Sequence, residues 1–287
     1  MLGRSIIIIL ISIVRRREIL YWLAAKIRMI TRKSLRFEVP LLYHCNLNCA
    51  GCGVFSPVAK EEYLDSVLYE QDCKRLSELT QGKAECIRLV GGEPTLHPNL
   101  LDFCNITRKY FKKAVIQLVT NGILLNKQTD EFWKTCGKND ITIQISRYPI
   151  KINMEGILEK GKSNNVTIEV TESKSNEMFH LRLDINGKQN SVYSFENCWQ
   201  KNSCITLSNS KLYCCGIIPA TTNFNYYFNK ELIVNENDGI DIYKTESIKD
   251  ILKFLSKPVS FCKYCNVKKM SYCHEWHISK KEIGEWV

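Results

Sequence analysis

Cys45, Cys49 and Cys52 fall within the run Tyr43-His44-Cys45-Asn46-Leu47-Asn48-Cys49-Ala50-Gly51-Cys52-Gly53. Thiolates this close along a chain can converge on one metal centre. Three of them can hold three irons of a [4Fe–4S] cluster and leave the fourth iron open to a small molecule. Clusters that only carry electrons are commonly held by four cysteines, so a three-cysteine loop points to chemistry at the cluster. The competing reading is a zinc site in which Cys49 and Cys52 form one half. That reading gives Cys45 no purpose.

Beyond the loop, the strand candidate Glu85 to Val90 ends in Gly91-Gly92-Glu93-Pro94. Paired glycines at a strand end allow the backbone to approach a ligand closely. Their carbonyls, with the nearby carboxylate of Glu93, suit an ammonium group. An ordinary Gly-Gly turn stopped by proline is the plainer alternative.

Cys45-x-x-x-Cys49-x-x-Cys52 followed by Gly91-Gly92-Glu93-Pro94 resembles the radical S-adenosylmethionine (SAM) superfamily, over roughly residues 37 to 200, a domain-sized stretch. The resemblance implies a [4Fe–4S] cluster on the three cysteines. It also implies SAM on the open iron, with Gly91, Gly92 and Glu93 near the SAM amino group. Asn121, which closes a third strand, and Ser146 and Arg147, which close a fourth, become candidates for the methionyl and ribose groups. One electron, from a donor such as flavodoxin or ferredoxin, would cleave SAM, and the resulting 5′-deoxyadenosyl radical would take hydrogen from substrate. The residue before the third cysteine is commonly aromatic in this family, and here it is Gly51. Phe55 is the nearby residue that can pack against adenine in its place.

The elements that must position these residues alternate in type. Strand-like Phe37–Tyr43, Glu85–Val90, Ala114–Thr120, Ile141–Ser146, Val166–Val170 and Phe179–Ile185 are separated by helix-like Tyr69–Thr80, Asn99–Phe111, Asp130–Cys136 and Met154–Lys162. Such alternation argues for a parallel α/β sheet. In α/β barrels function gathers at the carboxyl ends of strands, where every motif above falls. The family resemblance implies a partial (β/α)6 TIM-type barrel.

After about residue 190 this rhythm fades and cysteines crowd. Cys204 and Cys214 sit on two short strands joined at Ser208-Asn209-Ser210, and Cys262 and Cys265 form a CxxC knuckle. Four such thiolates can close a zinc site or hold a second cluster. The arrangement resembles the twitch form of the SPASM auxiliary-cluster domain. Its implied ligands are Cys204, Cys214, Cys262 and Cys265, with Cys198, Cys215 and Cys273 as substitutes. The chain is thus divided into an N-terminal segment (1–36), a core (37–195) and a small cysteine-rich module (196–287). Cys73, Cys86, Cys104 and Cys136 stand singly and read as small buried hydrophobes. The five histidines form no constellation.

Fourteen cysteines in 287 residues suggest metal binding rather than a disulfide scaffold, and a cluster suits a reducing, cytoplasmic setting. The net charge of +10 is uneven: residues 1–36 hold nine basic residues and one acid. That distribution argues against a nucleic-acid-binding core. The apolar run Ile6–Val14 is too short to span a bilayer and runs into Arg15-Arg16-Arg17 rather than a small-residue cleavage site. With Ile19, Leu20, Leu23, Ile27 and Ile30 at helical spacing, the segment reads as a basic amphipathic helix. It suits either the inner membrane face or packing on a protein surface. Expected substrates are a sugar of surface-polysaccharide biosynthesis or, alternatively, a ribosomal peptide. The reading of another class is a non-catalytic zinc or iron–sulfur module.

Overall fold

The computed structural model describes residues 35–171, 177–179, 182–201, 203, 205–270 and 273–287. Nearly all of the N-terminal segment, His180 and Cys204 lie outside the described residues.

In β1 (Leu35–Pro40), Leu35, Phe37 and Val39 alternate with Arg36 and Glu38, and burial alternates with them. That period of two is what a pleated strand with one face in a core requires. The same logic holds along the succession α1 (Ser66–Thr80), β2 (Ala84–Val90), α2 (Leu100–Tyr110), β3 (Val115–Thr120), α3 (Asp130–Lys138), β4 (Ile141–Ser146), α4 (Met154–Ser163) and β5 (Ile168–Thr171). Helix starts are set by side chains that satisfy otherwise unpaired amides. Asp65 accepts from Leu68, Thr129 from Phe132 and Asn153 from Gly156. Each expected strand–helix unit through β5 therefore forms, with its ends moved by a few residues.

The strands build one open, eight-stranded sheet in the order β5-β4-β3-β2-β1-β7-β8-β9. Pairings from β5 through β1 to β7 (Ile205–Ser208) are parallel, while β8 (Lys211–Tyr213) and β9 (Gly239–Asp241) add antiparallel pairs. This is the expected partial barrel, mostly parallel and not closed. Phe37, Leu89, Ile116, Leu118, Ile143 and Ile145 are wholly enclosed and join one core with the helices. The other face is polar. Arg88 pairs with Glu38 and donates to Gln144 at 3.1 Å, and Gln144 donates to Thr171 at 3.1 Å.

The sixth strand departs from expectation. The segment Phe179 to Ile185 does not extend the barrel sheet. Instead β6 (Glu177–Phe179) pairs antiparallel with β10 (Cys273–Glu275), and Leu183 bridges Cys265. The carboxylate of Asp184 accepts the amides of Asn186 and Lys188, and Gly187 has φ +61°. This side-chain-capped turn stops an extended strand. The sixth parallel strand is β7, which joins the free edge of β1 through Phe37–Ile205 and Glu38–Thr206. The expected hairpin does form: Asn209 and Ser210, at φ +47° and +60°, make the left-handed turn that matches strand twist. Helices α5 (Ser191–Glu196), α6 (Ile217–Phe228) and α7 (Ile248–Leu255) fall in this part of the chain.

Candidate cluster site

The three-cysteine loop leaves β1 and is tied to the end of β2 by backbone. Gly92 donates to the Leu42 carbonyl at 2.9 Å, and Glu93 to the His44 carbonyl at 3.2 Å. The paired glycines make this possible. A Cβ on Gly91, which has φ +148°, would lie 2.2 Å from the Leu42 oxygen, and one on Gly92 would lie 1.9 Å from the His44 oxygen. The close approach expected for a ligand is thus made first to the segment that carries Cys45.

Glu93 is wholly enclosed. Its carboxylate accepts from the Thr95 amide (3.0 Å) and hydroxyl (2.5 Å), the Thr120 hydroxyl (2.7 Å) and the Asn121 amide (2.8 Å). Burial raises the carboxyl pKa while these donors oppose the rise. With its oxygens so occupied, Glu93 fixes the position of Asn121. Asn121 in turn donates to Asn46 at 2.8 Å and reaches Cys45 Sγ at 3.6 Å. The Leu47 amide also donates to Cys45 Sγ, at 3.3 Å. Ser146 and Arg147 sit at the end of β4, on the same rim of the sheet, where the Arg147 amide donates to Thr171 at 3.5 Å.

Two tryptophans far along the chain complete the loop. The Trp276 indole donates to Cys49 Sγ at 3.1 Å, and the Trp286 indole to the Cys52 carbonyl at 2.9 Å. Ala50 donates to His277, and Ser279 to Asn48, so the chain end runs antiparallel beside the loop. Tyr148, just past β4, also faces Cys49. Sequence spacing gave no sign of Trp276, Trp286 or Tyr148, because contacts across about a hundred residues or more leave no local pattern. Gly51 has φ +66°, a conformation an aromatic residue adopts only with strain. That accounts for the missing aromatic. Phe55 does not face a ligand either. It is wholly enclosed against Phe224 and Trp286, at ring distances of 5.2 and 6.1 Å.

Burial pushes the Cys45 thiol up to about 12 and the Cys49 thiol to about 11, against hydrogen bonds from Leu47 to Cys45 and from Trp276 to Cys49 that lower them. Both are therefore poised to release protons when a metal centre takes their place. Among the histidines, His97 is a structural cap. Its Nδ1 accepts from Asn99 and its Nε2 lies 3.1 Å from the Leu64 carbonyl. His44 stands edge-on to Tyr63.

Cys198, Cys214, Cys215, Cys262 and Cys265 line one cavity between α5, the start of α6 and the CxxC knuckle, together with Lys201 and Met270. The thiols interact: Cys214 is hydrogen-bonded to both Cys215 and Cys262, which raises its pKa and lowers that of Cys262. Cys214, Cys262 and Cys265 of the expected set are thus brought together. The fourth, Cys204, lies outside the described residues, as does the side chain of Cys273. Cys198 and Cys215 occupy the remaining wall. Cys73, Cys86, Cys104 and Cys136 are buried and apart from both groups.

Residues 39–156 match the family described as "Radical SAM superfamily". Among curated proteins, the antilisterial bacteriocin subtilosin biosynthesis protein AlbA of Bacillus subtilis (strain 168) is 33% identical over 129 residues. That match covers 43% of this chain and only 28% of AlbA. The GTP 3′,8-cyclase of Clostridium botulinum (strain Hall) is 24% identical over 251 residues, 82% of this chain and 76% of the cyclase. Among solved structures, BtrN in complex with AdoMet and 2-DOIA superposes with a TM-score of 0.51 at 19% identity, covering 81% of this chain and 93% of BtrN. That likeness establishes the shared fold. Taken with the cysteine loop and the open barrel, these matches identify residues 39–156 as a radical SAM core, in an enzyme that uses a [4Fe–4S] cluster and S-adenosylmethionine.

Proposed function

We propose that this enzyme abstracts a hydrogen from a polar small molecule of the sugar class, with a second iron–sulfur centre in its C-terminal cysteine group. The observation that carries the catalytic assignment is the donor set of the loop. Three thiols share one turn of chain, and N–H groups of Leu47, Asn121 and Trp276 are aimed at the sulfurs of Cys45 and Cys49. That is the surrounding an anionic thiolate-bound cluster needs. When bound, the cluster and SAM supply the one-electron cleavage that yields a hydrogen-abstracting radical. The protein's own part is to hold and to shield. Cys45, Cys49 and Cys52 ligate. Gly91 and Gly92 would offer carbonyls to the ammonium group of SAM, Glu93 holds Asn121 in place, and Ser146 and Arg147 on the rim of β4 would offer polar contacts to its methionyl and ribose groups.

The polar face of the sheet supports a hydroxyl-rich substrate. Glu38, Arg88, Gln144 and Thr171 form a hydrogen-bonded chain across four strands, opposite the apolar core. Polar groups on a sheet face beneath strand-end catalytic loops are suited to orienting hydroxyls. A peptide substrate is the second reading, favoured by the identity to a bacteriocin biosynthesis protein over the core. The relatives' names span a bacteriocin and a nucleotide, so the shared core does not choose between these classes.

For the second centre we assign Cys198, Cys262, Cys265 and one of Cys214 or Cys215. Among the described residues no three His, Cys, Asp or Glu side chains are gathered tightly enough for a single metal ion. A ring of cysteines can hold a four-iron cluster, with zinc as the alternative. An electron donor of the flavodoxin or ferredoxin kind and a reducing, cytoplasmic setting follow from this chemistry. No helix among the described residues is long and apolar enough to cross a membrane, and the basic N-terminal segment suits either the inner membrane face or packing on a protein surface.

The test is anaerobic reconstitution, reduction and assay of 5′-deoxyadenosine from SAM. The wild type should form it and Cys45→Ala should not. Cleavage that survives Cys45→Ala removes the core assignment in favour of a non-catalytic module. Deuterium transfer from labelled sugar nucleotides, against candidate precursor peptides, decides between the substrate classes.

A further inference from the structure

The chain end brings a hydrogen-bond donor to a cluster ligand from a distance of more than two hundred residues. Trp276 Nε1 lies 3.1 Å from Cys49 Sγ. Its ring stands 6.3 Å from that of Tyr148, which faces the same sulfur. Cys49 is 5% exposed, so water does not offer a comparable donor. The segment that carries Trp276 is held on both sides of the contact. The His277 carbonyl accepts from Ala50, the Ser279 amide donates to Asn48, and further on the enclosed Trp286 ring donates to the Cys52 carbonyl. The indole is therefore fixed where it is, and its single N–H has one acceptor.

A thiolate-bound cluster carries one more negative charge when reduced than when oxidised. A donor fixed on a ligand sulfur stabilises the reduced form more, and hydrogen bonds to sulfur are among the features that set cluster potentials. Because the contact is part-buried and the sulfur itself is buried, the effect is larger than in water. We infer that Trp276 is a positioning residue that raises the reduction potential of the cluster on Cys45, Cys49 and Cys52, placing control of its reducibility in the C-terminal segment. This inference rests on the reading of those three cysteines as the cluster ligands.

The test is an EPR-monitored redox titration of the reconstituted full-length protein, following the signal that changes when SAM is added. Trp276→Phe keeps the ring and removes the N–H. It should shift the balance at a fixed poise about tenfold toward the oxidised form, about 59 mV for one electron, with iron content unchanged. An unchanged potential at full iron content overturns the inference. If Trp276→Phe fails to load, Trp276→His, which retains a ring N–H, supplies the second arm. Loading by His at a potential nearer the wild type supports a donor role, and equal failure of both assigns Trp276 to packing and overturns it. A wild type that shows no SAM-responsive cluster signal is a different outcome, one that defeats the ligand assignment itself.

Discussion

The Glu93 carboxylate accepts the Asn121 backbone amide at 2.8 Å, and the Asn121 side chain extends from that anchor to Asn46 and Cys45. The end of β2 thereby sets where the end of β3 meets the cysteine loop. In Glu93→Gln an amide NH2 replaces one oxygen and meets groups that are themselves donors. A buried donor left unpaired costs about 1–3 kcal/mol. The variant should unfold at lower urea concentration and bind less iron after reconstitution. Wild-type values on both measurements would show that the carboxylate does not organise the loop.

Gly92 and Gly53 give a paired test of how the loop is held. A methyl on Gly92 would lie 1.9 Å from the His44 oxygen, whereas one on Gly53 meets nothing within 4 Å. The first clash is with backbone, which has no rotamer to yield. Gly92→Ala should therefore push the His44–Cys45 segment away from β2 and lower iron content several-fold, an effect well above the usual cost of a surface substitution. Gly53→Ala should load as the wild type does. Iron and sulfide quantitation on the two purified variants checks both.

Much of the core was legible because its signals are local. Alternating burial marks β1 through β5, and the motif residues fall at strand ends, where an α/β sheet places function. Phe179 to Ile185 misled because its apolar alternation resembles a strand, while the Asp184 turn that stops it depends on side-chain capping. The sixth parallel strand was visible as half of a hairpin, but its partner, β1, is far away in sequence. Likewise nothing near Trp276 or Trp286 announces that each reaches the cysteine loop. The glycine pair was legible as a place of close approach, but not which backbone approaches. Cys198 carried no motif of its own, and only the packing of α5 against the CxxC knuckle brings it to the cavity.

The loop thiols make a pH prediction for the cluster-free protein. Burial holds Cys45 up to about 12 and Cys49 to about 11, against about 8.5 for a free cysteine. Raised thiol values mean that the reactive thiolate is the minor form at neutral pH. Alkylation of both residues at pH 8 should be much slower in the folded apoprotein than in urea, and should climb about tenfold per pH unit toward 11. Since ligation requires the deprotonated form, cluster assembly releases protons and should become more favourable as pH rises. Peptide mapping after timed iodoacetamide quenching gives the rates. Equal labelling in folded and unfolded protein at pH 8 would show that these thiols are not enclosed.

The ligand set of the second centre is open to direct measurement. Cys198, Cys262 and Cys265 face one cavity with the adjacent pair Cys214 and Cys215, whereas Cys73 is buried in α1 among apolar side chains. Two four-iron clusters require about eight irons per chain and one requires about four. Cys198→Ala and Cys262→Ala should fall toward about four while Cys73→Ala stays near eight. Cleavage of SAM should persist in the first two, because the loop cluster is intact. Of the adjacent pair, only one change should remove the second cluster, since Cys198, Cys262 and Cys265 leave a single iron that needs one further thiolate. Full iron in Cys198→Ala, with loss in Cys204→Ala, would move the fourth ligand from the end of α5 to the start of the hairpin. Iron near four in the wild type would remove the second cluster altogether.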